Sequence, residues 1–117
     1  MTTTEPTPPA IPLDTLFALL ATRQRRRVLY VLRREQTVAV DELAERILRR
    51  HDRSAGPSAR ERRHEIETIL HHQDIPKLRD ADVVDYDPDR ERVSATDRLH
   101  SMEPYLELAE RHESHTS

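Results

Sequence analysis

The chain has 117 residues, 35% hydrophobic and 35% charged, with a formal net charge of −3, which describes one ordinary domain with a thin core and no bulk affinity for nucleic acid. The absence of cysteine excludes a disulfide framework, a thiolate nucleophile and thiolate metal sites. No apolar run approaches the roughly 20 residues needed to span a bilayer, and the opening MTTTEPTPPAIP lacks the basic start and apolar stretch of a secretory signal, so residues 1–12 read as a flexible Thr/Pro leader on a cytoplasmic protein.

The only aromatic residues are Phe17, Tyr30, Tyr86 and Tyr105, so Leu, Ile and Val must fill the interior. Leu13, Leu16, Phe17 and Leu20 carry the i, i+3, i+4, i+7 spacing of a helix burying one side, and Pro12 and Asp14 suit its first turn. Thr22 can cap a second helix, TRQRRRVLYVLRR, with Val28, Leu29, Val31 and Leu32 as its apolar face. Its opening turns hold Arg23, Arg25, Arg26 and Arg27 at the end where the helix dipole favours anions, a loss of only about 0.3–1 kcal/mol per charge. They read either as a solvated basic face or as phosphate contacts.

TVAV, from Thr37 to Val40, is short and β-branched, a candidate strand. Asp41 can then cap DELAERILRR, with Leu43, Ala44, Ile47 and Leu48 inward. HDRSAGPSA, with the chain's only glycine at Gly56, reads as a loop. Ser58 and Glu61 have the S-x-x-E spacing of a capping box that opens another helix.

That helix contains an inconsistency. Ile66, Ile69 and Leu70 share a face, yet a straight helix would place Ile75 about 180° from Ile66 and Leu78 about 120° from it. Pro76 also removes a backbone donor. A kink or break is therefore expected between His72 and Pro76, re-aiming Ile75 and Leu78 at the core. Val-Val-Asp-Tyr and Arg-Val-Ser-Ala alternate about a DPDRE turn and predict a hairpin. Asp97 can cap a closing helix with Leu99, Met102, Tyr105, Leu106 and Ala109 inward, bent or restarted near Glu103 by Pro104. The polar tail is expected to fray.

Helix, helix, short strand, helix, helix, two-stranded hairpin, helix is the order of a winged helix-turn-helix. RQRRRVLYVL, a small strand and DELAERI together resemble the opening of ArsR-like transcriptional regulators. IPKLRDADVVDYDPDRERVSAT resembles the end of their DNA-reading helix as it passes through a Leu-x-x-Ala-Gly-Val-Val corner into the wing. Among 19 cationic residues only Lys77 is a lysine, against 22 acidic ones, a bias typical of proteins from salt-loving organisms or of a GC-rich genome. From Leu13 to Ala109 the chain resembles the small haloarchaeal winged-helix domains of that superfamily. Two departures stand out: the glycine of the corner is Asp82 here, and the loop HDRSAGPSA exceeds the roughly 3–4 residues of a simple helix-turn-helix turn.

The resemblance implies a mainly α fold with a small β-hairpin: a winged helix-turn-helix over 13–96, a dimerisation helix over 97–113 and a disordered tail over 114–117. It implies a transcriptional regulator that binds double-stranded DNA as a homodimer. The reading helix around 59–80 would offer Arg60, Arg63, His64, Glu67, His71, Gln73 and Lys77. Arg25 and Arg26, with Arg90 and Arg92 of the wing (83–95), would touch the backbone. Arginine can read guanine edges, Gln adenine, and His can donate to phosphates. Leu16, Leu20, Met102, Tyr105, Leu106 and Ala109 would form the dimer interface.

His71 and His72, adjacent on a helix, point about 100° apart and cannot both grip one ion comfortably. A polar reading surface suits them better than a metal centre, and no metal or cofactor is expected. There is no Gly-rich phosphate loop, thiol or compact Ser/His/Asp arrangement, so no enzyme is expected either. The acidic balance, the inter-helix loop and a wing neutralised by Asp87 and Asp89 leave a rival expectation, a winged-helix module that binds another protein.

Overall fold

The computed structural model describes residues 11–51 and 57–116. They form α1 (Leu13–Leu20), α2 (Arg23–Glu35), β1 (Thr37–Ala39), α3 (Val40–His51), α4 (Pro57–Ile69), a π-helical turn (Leu70–Asp74), α5 (Ile75–Asp80), β2 (Val84–Asp87), β3 (Arg92–Ala95), α6 (Asp97–His100) and α7 (Glu103–Thr116). The protein is mainly helical with one small antiparallel sheet. No described helix is long and apolar enough to cross a membrane. Residues 1–10, 52–56 and 117, and with them most of the leader and Gly56, lie outside the described residues. Only residues 52–56 separate α3 from α4, so the inter-helix connection is shorter than HDRSAGPSA suggests.

Helix ends fall within a residue of their signals, though not always on the expected side chain. The Thr22 hydroxyl accepts the Arg25 backbone N–H, as a cap should. Asp41 and Asp97 instead sit inside the first turns of α3 and α6, where their charge suits the dipole. Pro104 lies in the first turn of α7, which restarts at Glu103 and runs on through Thr116, past the point where fraying is expected. In α1 the inward pair is Leu16 and Leu19, while Leu13 and Phe17 are each 60% exposed. The expected face of α1 is thus rotated, because α1 lies over α2 through Leu19 rather than Phe17.

The sheet has the order β1-β3-β2. Thr37, Val38 and Ala39 pair with Ser94, Val93 and Arg92, and Val84 to Asp87 pair with Ala95 to Arg92. Val38, Val84 and Val93 point into the core formed by Val28, Leu29 and Leu32 of α2, Leu43 and Ile47 of α3, and Leu70, Ile75 and Leu78. Leu99, Met102 and Leu106 close it from α6 and α7. Leu16, Met102 and Leu106, expected at a dimer interface, are 3%, 0% and 0% exposed and belong to the chain's own core. Leu20 and Ala109 pack partly against it, which leaves Tyr105 of that set substantially exposed.

α7 is held against α2 by charge. Arg33 pairs with Glu103 at 2.7 Å and Glu110 at 3.1 Å, and Arg34 reaches Glu110 at 2.6 Å. Arg26 pairs with Glu113 at 3.1 Å and donates to the Leu20 carbonyl, and the Tyr30 hydroxyl donates to Glu113 at 2.5 Å. Arg26 is therefore engaged within the chain rather than presented to a DNA backbone.

The α5 helix ends in a Schellman motif: Val83 N–H bonds the Leu78 carbonyl and Asp82 N–H the Arg79 carbonyl. Asp82 stands at φ 63°, the left-handed position that its place at the corner predicts. The Thr96 hydroxyl donates to the Asp82 carbonyl at 2.7 Å and ties the corner to the end of β3.

Candidate nucleic-acid interface

From Pro57 to Asp80 the chain is helical without a break. The π turn resolves the phase conflict between Ile66 and Ile75. Ile75 N–H bonds the Leu70 carbonyl, five residues back, so one extra residue is absorbed and the axis continues. That residue rotates the downstream face by about 100°, which brings Leu70, Ile75 and Leu78 to the same core. Pro76, which lacks an N–H, follows directly after the turn. The expected kink is thus a π turn, not a break.

The segment is clamped on two sides. Towards α3, the Arg63 guanidinium pairs with Glu45 at 3.1 Å and Glu67 at 3.6 Å and donates to the Asp41 carbonyl. Towards α2, the Gln24 amide donates to the Ile66 carbonyl at 3.2 Å and to Asp74 at 3.0 Å. Arg25, only 5% exposed, pairs with Asp74 at 3.4 Å. Its remaining N–H groups donate to the Leu19 and Ala18 carbonyls in the last turn of α1. One guanidinium thus neutralises a helix C-terminus and a buried carboxylate together. Burial pushes the Asp74 carboxyl above its usual range, opposed by the Gln24 hydrogen bond and the Arg25 charge. Arg25 is therefore an internal strut and not a phosphate contact.

The expected reading residues divide among three faces. Arg60, His64 and His71, spaced by four and seven, form one exposed stripe. His71 meets the wing: its ring lies 6.5 Å from that of Tyr86, edge-on at 74°. Arg63 and Glu67 lie beside α3, in the ion pairs above. Exposed Gln73 and Lys77 share another stripe, and Lys77 lines a cavity against α1. Of the expected set, the stripe that converges on the hairpin is Arg60, His64 and His71.

In the hairpin, Tyr86 pairs across from buried Val93, so both lie on the inner face. Arg92 pairs across from Asp87, on the outer face with Asp85. Arg90 lies in the turn, where Asp87 Oδ1 accepts the N–H groups of Asp89 at 3.0 Å and Arg90 at 3.3 Å. Glu91 takes φ 50°. The register therefore keeps Arg92 away from the His71 stripe and leaves Arg90 at the tip.

Tyr86 and Gln24 were not among the site residues picked out from the sequence. Tyr86 sits two residues after Val84 on one strand face, a legible signal. Nothing local marks Gln24, and the Asp74-Ile75-Pro76 run reads as a helix start, whereas Asp74 lies inside the continuous helix and caps nothing. Among the described residues no group of three or more His, Cys, Asp or Glu side chains could hold a metal ion.

No curated protein matches the chain, and no solved structure does. A family model described as a domain of unknown function, DUF7344, matches residues 17–94, more than half of the chain. The match runs from Phe17 in α1 to Ser94 in β3 and takes in both clamps on the helical segment but not α7. The chain belongs to the DUF7344 family.

Proposed function

We propose that the protein is a DNA-binding transcriptional regulator of winged-helix type, in which 57–80 is the reading helix and 83–95 the wing. The observation that carries this is the exposed stripe Arg60, His64 and His71, which ends at an edge-on contact with Tyr86 of the hairpin. A helix and a wing joined on one face can enter adjacent grooves, and the stripe offers guanidinium and imidazole donors to bases and phosphates. The resemblance to ArsR-like regulators and to small haloarchaeal winged-helix domains points the same way. Arg25 and Arg63 brace the helix and Arg26 ties α2 to α7 in this reading, and the contacting groups are Arg60, His64, His71 and Arg90. Leu13 and Phe17 of α1 with Tyr105 and Leu108 of α7, 49–63% exposed, are the most exposed large apolar groups among the described residues and are available for pairing two copies. Selection of bound sites from a random duplex pool tests the proposal.

A second reading, a module that binds another protein, draws on those same four exposed apolar side chains and on the carboxylates Asp85, Asp87, Asp89 and Glu91 around the hairpin, which repel phosphate.

A further inference from the structure

The π turn leaves one main-chain oxygen without a helical donor. In a regular helix the His71 carbonyl would accept from the Ile75 N–H, four residues on. Here that N–H bonds the Leu70 carbonyl instead. At the i+5 spacing of a π turn the next nitrogen in line belongs to Pro76, which has no N–H. The His71 carbonyl therefore lacks both donors that the helix could offer it. A helical carbonyl lies on nearly the same side of the axis as its own Cα. His71 is exposed, with exposed His72 and Gln73 after it, so this oxygen faces solvent at the end of the Arg60–His71 stripe, beside Tyr86 of the hairpin.

We infer that the His71 carbonyl is a base-reading acceptor, which takes a hydrogen bond from an exocyclic amino group, adenine N6 or cytosine N4, in the major groove. The inference rests on the DNA-binding reading above and adds a chemistry to it. The Arg60 guanidinium carries donors only, so it selects acceptors such as guanine O6 and N7. Adenine and cytosine are the bases that present amino donors in the major groove, and an acceptor is needed to select them. A main-chain oxygen suits that use, because the helix fixes its direction and it has no rotamer freedom to lose on binding. The π turn thus has two consequences: it brings Ile75 and Leu78 to the core, and it frees an acceptor on the solvent side. Pro76 keeps that acceptor free, since any other residue type there would bring an N–H to it.

The test pairs Pro76→Ala with duplexes that lack single amino groups. The substitution supplies a donor whichever register the variant takes: the nitrogen at position 76 reaches the His71 carbonyl at the π spacing, and the Ile75 N–H reaches it at the α spacing. The duplexes carry the site that the wild-type chain selects, with each adenine in turn replaced by purine and each cytosine by pyrimidin-2-one. Loss of one amino group is expected to weaken wild-type binding about two- to tenfold, the scale of a single hydrogen bond. Pro76→Ala is expected to bind the parent site more weakly by a similar factor and to show no further loss on that duplex. The responding base tells adenine from cytosine. A folded Pro76→Ala that binds the parent site as tightly as wild type would overturn the inference, as would amino-group effects of equal size in both proteins. Wild-type binding indifferent to every amino group would overturn it without recourse to the variant. Failure of the wild-type chain to select any site would instead overturn the DNA-binding reading, and this inference with it.

Discussion

Arg25 and Asp74, 49 residues apart in sequence, meet at 3.4 Å with side chains 7% and 2% exposed, and the contact fixes the π turn against α2 and the end of α1. Removing one partner leaves the other charge buried and unmatched, which typically costs about 3–5 kcal/mol. Asp74→Ala should therefore destabilise the fold by that order in urea titrations. The double replacement Arg25→Met with Asp74→Leu should be milder than either single change, because it removes both charges. Additive losses would show that the residues do not act as a pair.

The acid response should divide between two carboxylates. Burial pushes Glu113 up, but hydrogen bonds from Arg26 and Tyr30 and the Arg26 charge outweigh it and hold the group below its ordinary value of 4.5. Its contribution is present above that value and fades as pH falls through the lower folded value. Asp74 is raised above its ordinary 3.8, so its contribution has the opposite sign: present below 3.8 and lost as pH rises through the folded value. Glu113→Gln should flatten the acid-side loss of stability, by no more than about 1 kcal/mol for a partly exposed pair. Asp74→Asn should steepen the loss. Urea midpoints measured from pH 3 to 7 check both signs.

The π turn should outlast loss of the proline behind it. It is required because Leu70, Ile75 and Leu78, each at most 3% exposed, must all face one core. Pro76→Ala restores a backbone donor but leaves that requirement in place. The variant should keep a through-hydrogen-bond coupling between the Ile75 nitrogen and the Leu70 carbonyl carbon. Leu78→Ala, by contrast, should cost about 2–5 kcal/mol. Transfer of the Ile75 bond to His71 in Pro76→Ala would make the proline the cause instead.

Element order, strand positions and the restart at Glu103 were legible because capping residues, proline and alternating burial act locally. The corner at Asp82 came from the resemblance, in which a glycine stands there, and Asp82 takes the left-handed backbone in its place. The phase conflict at Ile75 was legible too, but its resolution was not: a kink and a π turn both satisfy the pattern. The role of Arg25 was hidden because its partners lie in α1 and, 49 residues away, at Asp74; a cluster of four arginines gives no sign of which one turns inward. Met102 and Leu106 read as interface because their periodicity is that of any buried face. Only the ion pairs of Glu103, Glu110 and Glu113 with α2 place them against the chain's own core.

Pairing of two copies should depend on the exposed apolar residues and not on the buried ones. Phe17→Glu with Leu108→Glu should convert a dimer to a monomer in sedimentation while leaving the helical spectrum intact. A dimer that survives this change would have to use another surface.

The decisive measurement is a selection of bound duplexes from a random-sequence pool in molar KCl, where counterion release contributes little and base contacts must dominate. Enrichment of a defined, two-fold symmetric site, with affinity lost at least tenfold in Arg60→Ala or His71→Ala and retained in Arg92→Ala, is the result expected of the Arg60–His71 stripe. A folded protein that enriches no sequence, or whose enrichment survives both stripe substitutions, would contradict the DNA-reading account and favour the protein-binding one.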